Sequence, residues 1–120
     1  MDRNELDRRI DQHGRNIVAG HFEGALEDFA EDLKPGVPEV ARLLPQALHK
    51  AELLDLFVHG DTAAVSIRYS NSANEFLVIE SIWREQGGRL LIVAAAPVLP
   101  GQPGLHALVR TDQVPPGVER

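Results

Sequence analysis

The spacing of apolar residues changes once along this chain, and that change constrains the fold more than any other feature. Up to about residue 49 hydrophobic side chains recur every three or four positions, and beyond it they alternate. Leu6, Ile10, His13, Ile17 and Val18 share a stripe between residues 4 and 19, which predicts an amphipathic first helix with Asp2 or Asn4 as its cap and Gly20 as its stop. Phe22, Ala25, Leu26, Phe29, Ala30 and Leu33 then repeat at i, i+3, i+4 and i+7, the strongest helical signal present. Glu23, Glu27, Asp28, Glu31 and Asp32 fall on the opposite face, expected in water, and Lys34-Pro35-Gly36 ends this second helix. Pro38 opens a third helix through Val40, Leu43 and Leu44, and Pro45 breaks it.

Leu54, Leu56 and Val58 alternate with Asp55, Phe57 and His59, the signature of a strand. Gly60-Asp61 turns it into a second strand over residues 63–69. A longer turn at Ser70-Asn71-Ser72-Ala73-Asn74 leads to a third strand over 75–85, and Gly87-Gly88 to a fourth over 90–96. Helices followed by a meander of strands describe an α+β domain with the helices on one face of an antiparallel sheet. The domain is expected over residues 1–98. A Pro- and Gly-rich tail follows at 99–120, and its apolar stretch at 105–109 is available to dock on the body or on a second subunit.

Composition removes several classes of function. The 120 residues contain no cysteine, so disulfides, thiolate metal sites and cysteine nucleophiles are excluded. Twelve basic against eighteen acidic residues give a formal charge of −6, which argues against a nucleic-acid partner. No apolar run approaches the ~20 residues of a membrane span, and Met1-Asp2-Arg3-Asn4 does not begin a secretory signal, so no membrane association and a cytoplasmic location are expected. His21, His49, His59 and His106 lack metal-ligand spacing. No glycine-rich phosphate loop and no Gly-x-Ser-x-Gly elbow occurs either, so neither a metal nor a cofactor is expected.

Turn centres set the register, and register sets which side chains share a face. Pairing about Gly60-Asp61 places Leu56 opposite Val65. Pairing about Ser72-Ala73 places Ile67 opposite Val78 and Val65 opposite Glu80, and pairing about Gly87-Gly88 places Ile82 opposite Val93. The face expected toward the helices then carries Ile67, Tyr69, Val78, Glu80, Ile82 and Val93. The other carries Phe57, Leu77, Ile79, Trp83 and Ile92, an apolar patch that suggests a sheet-to-sheet homodimer. Glu80 stands out, because a carboxylate on an apolar face is costly unless it is paired, hydrogen-bonded or protonated. It reads either as a pocket acid or as a structural acid tied to an arginine or a backbone amide. His13, on the inward stripe of the first helix, reads as a core histidine or as its partner in a pocket.

The order of these elements resembles the nuclear transport factor two-like superfamily, which includes ketosteroid isomerase and SnoaL-like polyketide cyclases. The resemblance spans residues 4–98. It rests on Gly20-His21-Phe22-Glu23-Gly24-Ala25-Leu26-Glu27-Asp28-Phe29-Ala30-Glu31-Asp32, Gly60-Asp61-Thr62-Ala63-Ala64-Val65 and Trp83-Arg84-Glu85-Gln86-Gly87-Gly88-Arg89. It implies a cone in which a curved sheet wraps the helices around a mostly apolar pocket, often in a dimer. Beside ketosteroid isomerase, His13 is similar in position to the oxyanion-hole tyrosine and Glu80 to the protonated aspartate of that hole. The isomerase's general base has no counterpart, since Leu33-Lys34-Pro35-Gly36-Val37-Pro38 contains no carboxylate, and steroid isomerisation is not expected. The expectation is a binding module for a small hydrophobic molecule, walled by Ile17, Phe29, Ile67, Tyr69, Val78, Ile82 and Val93, with His13, Tyr69 and Glu80 orienting its polar end. The alternative is a cofactor-independent acid–base enzyme (isomerase, dehydratase or cyclase) that uses Glu80 and His13 as catalytic groups.

Overall fold

Helix α1 (Arg3–Ala19) begins and ends where its sequence says it should. The Asp2 carboxylate accepts the backbone N–H groups of Asn4 at 2.9 Å and Glu5 at 3.3 Å, and Gly20 closes the helix in the left-handed conformation, φ 79°. The computed structural model describes residues 1–98; the tail at 99–120 and its apolar stretch at 105–109 lie outside the described residues.

The second helix is a correction. Instead of one helix through Leu33, α2 covers only Phe22–Leu26, and the chain then turns and lays Phe29 beside Ile92 as a parallel bridge. The Ile92 N–H donates to the Asp28 carbonyl at 2.7 Å and the Ala30 N–H to the Ile92 carbonyl at 2.9 Å. Backbone groups that helix continuation would have paired internally are satisfied by a strand edge instead. Lys34, Pro35 and Gly36 sit inside a 3-10 helix (Glu31–Gly36) rather than after an α-helix, and α3 (Val37–Ala41) follows with Pro38 in its first turn.

Strands β1 (Leu48–His59), β2 (Thr62–Asn71), β3 (Phe76–Gln86) and β4 (Arg89–Pro97) form one antiparallel sheet in sequence order. The first hairpin has the expected register, with Leu56 opposite Val65. The second is displaced by one residue: Ser66, not Val65, faces Glu80, and Ile67 faces Ile79. An odd turn is the reason. Asn74 takes a left-handed φ of 64°, and Asn71 holds the turn by receiving the N–H groups of Ala73 at 3.0 Å and Glu75 at 3.1 Å on its side-chain oxygen. The Asn71 amide adds donations to the Gln46 carbonyl and the Glu75 carboxylate, both at 2.9 Å. A slip of one residue exchanges every side chain between faces. In the last hairpin Trp83 faces Ile92, but Ile82 faces Ala94, so Val93 is an extra residue in a bulge.

The core follows from this register. Leu6 and Ile10 of α1 pack on Val65, Ile67, Tyr69, Trp83, Leu90 and Ile92. Gly14 lets the helix approach β1 closely, since a Cβ there would lie 3.3 Å from that of Ala51. The outer face carries Ala64 and Ile82, packed with Phe57, Val93 and Ala94. The five-residue dimer patch is therefore a correction too. Phe57 faces outward, whereas Trp83 and Ile92 are fully buried under the helices and Leu77 and Ile79 share their side of the sheet. Bulges in β1 and β4 bend a sheet that stays unclosed, the α+β cone expected. Among the described residues no helix is long and apolar enough to cross a membrane.

Trp83→Ala should cost about 3–5 kcal/mol of unfolding free energy in a denaturant titration, as loss of a core side chain does. A cost under about 1 kcal/mol, as at an exposed site, would place Trp83 outside the core.

Candidate functional site

Between α1, the segment from α2 to α3 and the inner face of the sheet lies a cavity of about 630 Å³. Its walls are mostly aliphatic and aromatic: Ile17 from α1, Phe22 and Leu26 from α2, Phe29, Leu33, Val37 and Val40, and Ile67, Ile79 and Ile92 from the strands. The size lies within the usual range of ~300–1,000 Å³ for small-molecule sites. Three further polar side chains reach this wall: His13, Tyr69 and Ser81.

His13 is held by a buried carboxylate. The Asp28 Oδ2 lies 2.8 Å from His13 Nδ1, and the Arg9 guanidinium donates to Asp28 Oδ1 at 2.8 Å and to the Leu90 carbonyl at 3.3 Å. Asp28 and His13 are both buried, whereas Arg9 is part-exposed, so the cluster has one wet end. An ionised carboxylate only accepts, so the Nδ1–H donates to Asp28, and in the neutral tautomer this leaves the Nε2 lone pair free. The edges of Phe29 and Trp83 fix the ring from two sides, with centroids at 5.6 and 5.7 Å. No described residue bonds Nε2, and no fully buried side-chain polar atom lacks a partner, so Nε2 has access to the cavity.

Tyr69 is almost fully buried. Burial first, and the nearby Asp28 charge second, hold its phenol protonated well above its ordinary pKa of about 10. Tyr69 is thus a hydrogen-bond donor throughout the neutral range. The Trp83 indole donates to the Ser81 Oγ at 3.0 Å, which leaves the Ser81 hydroxyl proton free to donate in turn. The wall therefore offers two O–H donors and an imidazole whose neutral form accepts at Nε2. Among the described residues no group of three or more His, Cys, Asp or Glu side chains could hold a metal ion.

His13, Ile17, Phe29, Ile67 and Tyr69 line this cavity. Glu80, Val78, Ile82 and Val93 do not. The odd turn carries Val78, Glu80 and Ile82 to the outer face, and the β4 bulge keeps Val93 beside Ile82. Glu80 is nearly buried there, across from Ser66 and Ala96, so it shares no site with His13. Asp28, Arg9 and Ser81 were missed. An aspartate flanked by other acids on a helical wheel reads as surface, and nothing in its spacing marks it as the partner of a histidine fifteen positions earlier.

No family model matches the chain, and no curated protein matches it. Among solved structures it is similar to a nuclear transport factor two-like (NTF2-like) protein of unknown function from Pseudomonas putida. The TM-score is 0.60 at 16% sequence identity, over 81% of this chain and 85% of that one.

Two measurements check the site. The chain has a single tyrosine, so absorbance of tyrosinate near 295 nm reads Tyr69 directly. A folded pKa raised above the unfolded one means that the stability it confers is complete below about pH 10 and is lost as pH rises toward the folded value. Tyr69→Phe should remove that alkaline loss; an unchanged slope would place the titration elsewhere. Asp28→Ala, which strands Arg9 and His13 without their carboxylate, should destabilise by about 3 kcal/mol in chemical denaturation; a loss under about 1 kcal/mol would show that the pair is not formed.

Proposed function

The chain has the nuclear transport factor two-like fold, and on that premise we propose that it binds a small, largely apolar molecule in the cavity, with a carbonyl or hydroxyl oxygen against Tyr69, Ser81 and His13. The observation that carries this reading is the make-up of the wall: mostly apolar surface with three polar groups, His13, Tyr69 and Ser81, that retain hydrogen-bonding capacity. Apolar area supplies affinity and a few placed polar groups supply orientation. A polar oxygen is favoured, because an entirely apolar ligand would strip water from Tyr69 and Ser81 without replacing its hydrogen bonds.

The Asp28–His13 pair supports a second reading, acid–base catalysis on the bound molecule. With Nδ1–H held by Asp28, Nε2 is set to take a proton from a C–H beside a carbonyl, and Asp28 stabilises the imidazolium that results. Tyr69 and Ser81 would donate to the oxygen on which charge develops. A positioned base of this kind contributes ~100 to ~10,000-fold. The residue in this role is His13 and not Glu80, which the register carries to the other face.

The neutral probe N-phenyl-1-naphthylamine should show enhanced fluorescence with the protein. Val37→Trp, which fills the cavity from its wall, should weaken that binding at least about tenfold with the melting temperature kept. Retained affinity in that variant would place the probe elsewhere. For the catalytic reading, deuterium exchange next to the carbonyl of an aryl ketone is followed by NMR. His13→Gln should slow any protein-dependent exchange by about 100-fold while Glu80→Gln leaves it unchanged; exchange that survives His13→Gln removes the base.

A further inference from the structure

The more exposed part of the cavity wall carries two cations in a chain whose net charge is negative. Across the sequence eighteen acidic residues outnumber twelve basic ones, yet the charged residues on the cavity wall are Lys34, Arg42 and Glu23. Lys34 is only partly exposed, and its Nζ lies 2.6 Å from Glu31, a side chain that is 88% exposed and not part of the wall. Arg42, at the C-terminal end of α3, has no ion pair among the described residues. Two cations therefore border a mostly apolar space, and the Arg42 guanidinium has no ion pair among the described residues.

From this arrangement we infer that the molecule taken up is an amphipathic organic anion, an apolar body carrying a carboxylate or a comparable anionic group that meets Arg42 and Lys34 at the cavity mouth. The inference rests on the binding reading above and adds the chemical class of the ligand and its direction of entry. The closed end does not suit the anion. There the Asp28 carboxylate is already present, and its charge is felt at Tyr69, so a second negative group would be repelled where a neutral oxygen is welcome. An anion at the mouth instead gains a charge-assisted, two-pronged contact with Arg42 and keeps part of its hydration. Glu23 is the one wall carboxylate set against it, and it lies on α2 rather than on the 3-10 helix and α3 that supply the cations.

The test compares two fluorescent probes that share a ring system. 8-Anilinonaphthalene-1-sulfonate carries an anionic group, and N-phenyl-1-naphthylamine is the same skeleton without it. At low ionic strength the sulfonate should bind about tenfold more tightly than the neutral probe, and the advantage should shrink in high salt. Arg42→Gln should erase most of that advantage and leave the neutral probe unaffected, while Val37→Trp should expel both. Decanoate should displace the sulfonate and decylamine should not. Equal affinity for the two probes, or an Arg42→Gln variant that weakens both alike, overturns this inference and leaves the cavity reading standing. Binding of neither probe overturns both, and sulfonate binding that survives Val37→Trp places the anion outside the cavity and overturns the inference.

Discussion

Asp28 is the residue on which the arrangement of this domain depends. Its carboxylate ties down Arg9 and His13, one turn apart on α1, and its backbone carbonyl receives the N–H of Ile92 on β4. One residue thereby joins the first helix, the segment that breaks the second and the edge of the sheet. A buried carboxylate is unfavourable unless its lone pairs are used, and here two cationic or donor side chains use both oxygens. The same contacts that satisfy the charge fix the imidazole, so the polar heart of the cavity and the packing of α1 on β4 cannot be separated.

Local rules were legible and their interruptions were not. The caps of α1, the tight turns at Gly60 and at Gly87-Gly88 and the stripe that places His13 and Ile17 inward all follow from short-range physics written in a few adjacent residues. The break after Leu26 did not, because periodicity reports which residues are apolar and not whether a strand edge is waiting to pair with the backbone at residues 28–30. Asp28 was invisible for the same reason: its partners lie fifteen and nineteen positions away.

The sheet faces depended on counting. Symmetric pairing about Ser72-Ala73 assumes an even turn, and Asn74 in the left-handed region together with the Asn71 side chain makes it odd. That single residue moved Glu80, Val78 and Ile82 away from the cavity and brought Ser81 and Ile79 to it. Trp83, Ile79 and Ile92, assigned to a partner with Phe57 and Leu77, joined the core side for the same reason, while Phe57 stayed on the outer face. Alternation along β3 was read correctly in both cases; only its phase was wrong, and phase is set by a side-chain hydrogen bond that composition does not reveal.

The position of Trp83 gives the molecule a native optical sensor. It is the single indole in the chain, wholly shielded from solvent, with its ring against His13 and its N–H on the Ser81 oxygen. Both neighbours form part of the cavity wall. Whatever polarises Ser81 or protonates His13 alters the field around the excited indole, so emission wavelength and lifetime track events in the cavity without any label. A protein whose occupant is unidentified thus carries, one per chain and at a known depth, the means of reporting its arrival.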